Sequence, residues 1–238
     1  MPWDLDDLAR YERWLASRRG AYALAQEFRL LESLISAWPR RGRTLLEIGC
    51  GPGVFLEFFH HAGYDVTGLD KSPVMAHAAR KRLGHRAEVN LGDCEALPYE
   101  DNQFDVAALL TVLEFVPDPE AALREAVRVA RSAVIVGYLN RWSFYRLCAG
   151  KGSIVRRGEW FTPLGMHALA RKVTGHAPAA HASVLPGPPW TWRPGFPLWG
   201  LGRMALPLPV GAYCGAVLDL TLDAPLTGLP ARAFAQPS

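Results

Sequence analysis

The chain of 238 residues predicts a doubly wound α/β fold around a mostly parallel sheet, on three observations. From residue 44 onward, short apolar runs alternate with segments of helical periodicity. The first run passes through a glycine-rich turn straight into a helix, and acids stand just beyond the second and third runs. Strands alternating with helices imply right-handed crossovers, which cover both faces of a parallel sheet and leave ligands to bind beyond its carboxyl ends.

The elements follow in order. Over residues 5–18, Leu5, Leu8, Tyr11, Trp14 and Leu15 recur at three- and four-residue steps, with Asp4 as N-cap and Asp7 three residues on. Gly20 is read as an interruption, after which Leu24, Phe28, Leu31, Leu34 and Ile35 mark a second helix that Pro39 ends. These form a helical preface, residues 1–40. Strands are expected at Thr44–Ile48, Asp65–Leu69, Ala87–Asn90, Asp105–Leu110 and Ala133–Tyr138, with helices at 54–62, 73–83 and 119–131. Beyond residue 140 the rhythm weakens: a helix at 163–173, a strand at 179–185, a Pro/Trp/Gly-rich stretch at 186–209 and a last strand within 212–222. No repeat or second domain is evident, so one domain is expected over 1–238, with a core at 41–140 and a C-terminal part at 141–238.

Composition narrows the function classes. Half the residues are hydrophobic, enough for a sizeable core, and a net charge of +3 with interspersed signs gives no basic block, so nucleic acid is not expected as a partner. Cys50, Cys94, Cys148 and Cys214 lie far apart without C-x-x-C spacing, and the adjacent His60 and His61 point to different sides of a helix, so no metal is expected. No stretch has the length of a membrane span and no basic-then-apolar leader opens the chain, which makes the cytoplasm the expected compartment. Oligomeric state is not legible.

The turn reads Glu47-Ile48-Gly49-Cys50-Gly51-Pro52-Gly53 before a helix beginning at Val54. Glycines there let the backbone turn sharply and a ligand approach closely. A dinucleotide fingerprint would need Gly where Val54 stands. Asp70 ends the second strand seventeen residues beyond Gly53, where it can accept from both hydroxyls of a ribose or cap the helix that follows. After the third strand comes Gly92-Asp93-Cys94, a loop on which an Asp can accept from an adenine amino group.

Together these residues resemble the class I S-adenosylmethionine-dependent methyltransferases, in particular the type 11 group that includes quinone-biosynthesis methyltransferases. The resemblance covers roughly residues 10–140. It implies a Rossmann-like sheet of seven strands, five parallel with a terminal antiparallel pair, and S-adenosyl-L-methionine as cofactor. By position it assigns Glu47, Gly49, Cys50, Gly51 and Gly53 to the loop beside the methionine part and ribose, and Asp70 to the ribose. Lys71, Ser72 and Met75 fall beside the adenine, with Asp93 and Cys94 at its edge. Leu110 and Thr111 fall where the family offers backbone carbonyls to the methionine amino group. Phe115 stands where the family often has His, which removes one acid/base group without touching cofactor binding.

The implied activity is in-line methyl transfer to a small organic acceptor, a problem of proximity and orientation above all. If the acceptor must lose a proton, Glu114, Tyr11 and Tyr22 are the candidates to take it. A non-catalytic binding partner and a nicotinamide-dependent reductase are the alternatives. Asn140, Arg141 and Trp160–Pro163 lie where such folds build the acceptor pocket. The stretch 186–209, with Trp190, Trp192, Phe196, Trp199, Leu201 and Met204, is read as an apolar cover for a hydrophobic acceptor or as a packed loop; Arg193 and Arg203 admit a peripheral membrane contact without insertion.

Overall fold

The computed structural model describes residues 3–150, 153–194 and 210–222. The preface forms two helices, α1 (Leu5–Ala16) and α2 (Arg18–Ile35). Asp4 caps α1, its carboxylate accepting from the Asp7 N–H at 2.9 Å. The break between the helices falls at Ser17, whose hydroxyl caps α2 by accepting from the Gly20 N–H at 3.0 Å. Gly20 therefore does not interrupt a helix. It sits in the first turn of α2, where a Cβ would stand 1.9 Å from the Trp14 carbonyl oxygen.

The alternating section gives β1 (Thr44–Ile48), α3 (Val54–His61), β2 (Asp65–Asp70), α4 (Pro73–Leu83), β3 (Ala87–Leu91), β4 (Phe104–Leu110), α5 (Pro119–Val129) and β5 (Ala130–Leu139). Short α6 (Phe144–Cys148), then α7 (Pro163–Thr174), β6 (Ala180–Val184) and β7 (Tyr213–Asp219) complete the described elements. The seven strands lie in the order β3-β2-β1-β4-β5-β7-β6. The first five are parallel, and β7 runs antiparallel to both β5 and β6. β5 starts three residues earlier than its apolar run, because Ala130 pairs with Phe104 across an irregularity that polar Arg131 and Ser132 disguise in the sequence.

Every residue of β4 is buried, as a central strand covered on both faces must be. On one side Leu123, Ala126, Met166 and Ala170 from α5 and α7 enter the core. On the other, Leu56, Phe59, Ala76 and Ala79 from α3 and α4 do so. A third cluster joins Leu30 and Leu34 of α2 to Val184, Tyr213 and Val217 of the last strands. Gly215 makes that approach feasible, since a Cβ there would meet Leu34 Cδ1 at 2.5 Å. The preface is thus pinned over the antiparallel half of the sheet. Among the described residues no helix is long and apolar enough to cross a membrane.

Candidate functional site

The order of strands reverses direction between β1 and β4, and the loops leaving their carboxyl ends diverge there into a cavity of about 870 Å³. That size falls in the ~300–1,000 Å³ range of small-molecule sites. The loop after β1 is hooked to β2, because Gly49 and Cys50 both donate their N–H to the Leu69 carbonyl, at 2.7 and 3.0 Å. Three left-handed glycines shape it, at φ of +70°, +52° and +80° for Gly49, Gly51 and Gly53. Each has a different neighbour. A Cβ on Gly49 would meet Val112 Cγ2 at 2.6 Å, and one on Gly53 would meet Leu83 Cδ1 at 2.7 Å, whereas one on Gly51 would point into open space. Gly51 lies on the cavity wall; Gly53 turns the chain against α4 and is not on that wall.

Asp70 completes the loop. Its Oδ2 accepts from the Gly51 N–H and its Oδ1 from the Ser72 N–H, each at 2.8 Å. Burial pushes its carboxyl up, partly offset by those two bonds. The cap of α4 is Ser72, which accepts from the Met75 N–H, so Asp70 is released from capping and keeps lone pairs toward the cavity. Glu47 is buried on the same wall with its Oε2 lacking any partner, and burial together with the charge of Asp70 raises its pKa well above the ordinary range. An orphaned carboxyl oxygen in a native interior is a strong indication of a missing bonding group.

Lys71 and Asp93 close the adjoining edge through an ion pair of 2.6 Å, which holds the Asp93 carboxyl below its usual range. Met75 and Cys94 supply apolar wall beside them, and Ser72 donates its hydroxyl to the Trp3 carbonyl at 2.6 Å. Trp3 in turn meets Phe115 edge to face at 5.3 Å, so the departure at Phe115 is used for packing over the mouth. From β4, Leu110 and Thr111 reach the cavity. Thr111 has φ +57°, an outlier for a β-branched residue, held by its N–H donating to the Gly137 carbonyl at 2.7 Å. Such strain clusters where backbone must face a ligand.

The other end of the cavity is aromatic. Tyr11 and Trp14 of α1, Tyr145 of α6, Trp192 and Tyr213 line it, with Ile154 and Val155 from the turn 154–157. Arg157 of that turn bonds both carboxylate oxygens of buried Asp7 at 2.9 Å, clasping α1 over the cavity from 150 residues away. Of the aromatic run in 186–209, Trp192 is on the wall, Trp190 faces solvent, and Phe196, Trp199, Leu201 and Met204 lie outside the described residues, as does Arg203. Asn140 is fully buried and donates to the Gly211 carbonyl, fastening β5 to the turn before β7 and not facing the cavity.

The three candidate proton acceptors separate. Tyr11 is on the wall, its pKa raised by burial and by the charges of Glu27 and Glu47. Tyr22 packs into the cluster of α2 and the last strands, away from the wall. Glu114 stands behind the wall, its Oε1 accepting from the Leu139 N–H at 2.6 Å and its carboxyl pushed up to about 7 by burial. Sequence reading missed Glu27, a buried acid of α2 that does line the cavity. Its signal was present: with Ala23, Leu30 and Leu34 it shares a helical stripe that is otherwise apolar.

Comparison with known proteins agrees with this geometry. Residues 46–136 match the family model described as methyltransferase domain. The chain is 32% identical over 143 residues to a ubiquinone biosynthesis O-methyltransferase of Azorhizobium caulinodans, covering 57% of this chain and 55% of that one. It is 36% identical over 95 residues to a malonyl-[acyl-carrier protein] O-methyltransferase of Serratia marcescens, covering 40% and 37%. The chain thus spans about half or less of the length of these curated relatives. A solved structure from Thermotoga maritima, described as a SAM-dependent methyltransferase and possible histamine N-methyltransferase, is 28% identical and superposes with a TM-score of 0.69 over 89% of this chain and 95% of that one. Residues 46–136, which carry the parallel strands of the seven-stranded sheet, thus match the methyltransferase domain family.

Proposed function

We propose that this chain transfers a methyl group from S-adenosylmethionine to a small, largely hydrophobic acceptor. The observation that carries the reading is one continuous cavity with two unlike ends: Glu47, Gly51 and Asp70 at one, an aromatic enclosure at the other. The residues fit the cofactor. The unpartnered Glu47 oxygen suits its amino group, the open space over Gly51 admits its chain, and the free lone pairs of Asp70 suit ribose hydroxyls. Lys71, Ser72, Met75, Asp93 and Cys94 would flank the adenine, and Leu110 and Thr111 the methionine part.

When bound, the cofactor supplies an electrophilic methyl on a sulfonium. The chain's part is positioning and exclusion of water. The α1 helix, clasped by Arg157, covers the cavity, and the faces of Tyr11 and Tyr213 favour a neighbouring cation. Relatives carry names of both O- and N-methyltransferases, so the nucleophile must be read from the acceptor end itself. A cytoplasmic setting is supported by the four free cysteines.

Isothermal titration tests the reading. Adenosylmethionine and adenosylhomocysteine are expected to bind stoichiometrically and NADH not at all; binding of NADH alone would overturn it.

A further inference from the structure

Resting on the methyltransferase reading, we propose that the acceptor is a small aromatic amine that enters as its ammonium, with Glu27 as its anchor and the receiver of its proton. Glu27 is only 9% exposed and lines the cavity. Its neighbour Gln26 is tied to Arg29. Among the described residues no hydrogen bond or ion pair engages the Glu27 carboxylate. The groups whose titration feels its charge are Tyr11 on α1, Tyr145 on α6 and Tyr213 on β7, with Glu47 beyond Tyr11. Arg10 and Arg13 also line the cavity, on the exposed side of α1, and neither forms an ion pair with Glu27.

An ionised carboxylate in an apolar enclosure is costly unless a cation joins it. An ammonium supplies that cation, and the surrounding tyrosine and tryptophan faces add attraction for it. A neutral hydroxyl would leave the charge uncompensated, and a phenolate would be repelled. Burial pushes Glu27 up to about 7, so it can hold a proton more readily than an ordinary carboxylate. The proton moves from the ammonium nitrogen to a Glu27 oxygen. Ammonium and carboxylate become neutral amine and carboxylic acid, total charge is conserved, and the nitrogen lone pair is freed to act as nucleophile.

The test is titration of the adenosylhomocysteine-saturated protein with 2-phenylethylamine and its neutral counterpart 2-phenylethanol. The amine is expected to bind at least about tenfold more tightly. Its affinity should rise from pH 6 to pH 8 as Glu27 ionises. Glu27→Gln, nearly isosteric, should remove the preference and the pH dependence while adenosylhomocysteine affinity stays within about twofold of wild type. Glu27→Asp, which keeps the charge, should retain part of the preference and serves if the Gln variant does not fold. Equal affinity for amine and alcohol, no amine binding at millimolar concentration, or a preference that survives Glu27→Gln would each overturn the proposal. Failure of wild type to bind adenosylhomocysteine would instead overturn the methyltransferase reading beneath it.

Discussion

Asp70 braces the loop with both oxygens of one carboxylate, accepting a backbone N–H from Gly51 and one from Ser72, and by its lone-pair count each oxygen can accept a further bond on the cavity wall. Asp70→Ala should therefore weaken adenosylhomocysteine binding by at least about tenfold, since charge-assisted bonds are worth roughly 1.5–3 kcal/mol. Calorimetry at matched stability checks it; unchanged affinity would confine Asp70 to bracing the loop. Glu114 yields a stability prediction. Its folded pKa of about 7 exceeds the ordinary 4.5, so the folded state holds its proton more tightly. Its contribution therefore falls as pH rises from about 4.5 to about 7 and is level above that. Relative to wild type, Glu114→Gln should gain up to about 3 kcal/mol between pH 5 and pH 8 in urea unfolding; an unchanged difference would mean the acid is solvated. Asp70 was legible because it ends a strand at a fixed distance from a glycine turn. Glu27 was missed although it stands on an apolar stripe with Ala23, Leu30 and Leu34, because the stripe marks a buried acid without saying that a cavity lies beside it.

At the scale of elements, the glycine loop makes a paired prediction. Gly51→Val should abolish cofactor binding with most of the fold retained, because its Cβ enters open cavity, while the left-handed backbone costs ~1–2 kcal/mol for an ordinary residue and more for a β-branched one. Gly49→Ala should instead destabilise the protein, since its Cβ collides with Val112 where the loops after β1 and β4 pack. Thermal unfolding and titration of both variants separate the cases; similar behaviour would mean the two glycines share one role. The clasp over α1 is a second element-level device. Arg157 is about half exposed, so a double-mutant cycle of Asp7→Asn with Arg157→Gln should give a coupling of only about 1 kcal/mol. Hydrogen exchange should nonetheless quicken in α1 more than in β4, and uniform quickening would deny α1 a separate motion. The helices and strands were largely legible because periodicity, glycine turns and proline caps coincide. The clasp was not, since nothing local relates residue 7 to residue 157.

For the molecule as a whole, alternation of strand and helix predicted the parallel half of the sheet, and the family resemblance predicted the antiparallel pair. Neither could say which side α2 would cover, because that depends on Gly215 admitting Leu34. The position of β7 has a consequence for synthesis. It is the last described strand in sequence, yet it lies inside the sheet, pairing seven residues of β5 from Ala133 to Leu139 and all of β6. Until it emerges, β5 presents an apolar edge with unpaired backbone groups, the kind of template on which nascent chains aggregate. Between Leu139 and Tyr213 lie roughly 70 residues, which at ~5–20 residues per second keeps that edge open for about 4–15 s per molecule.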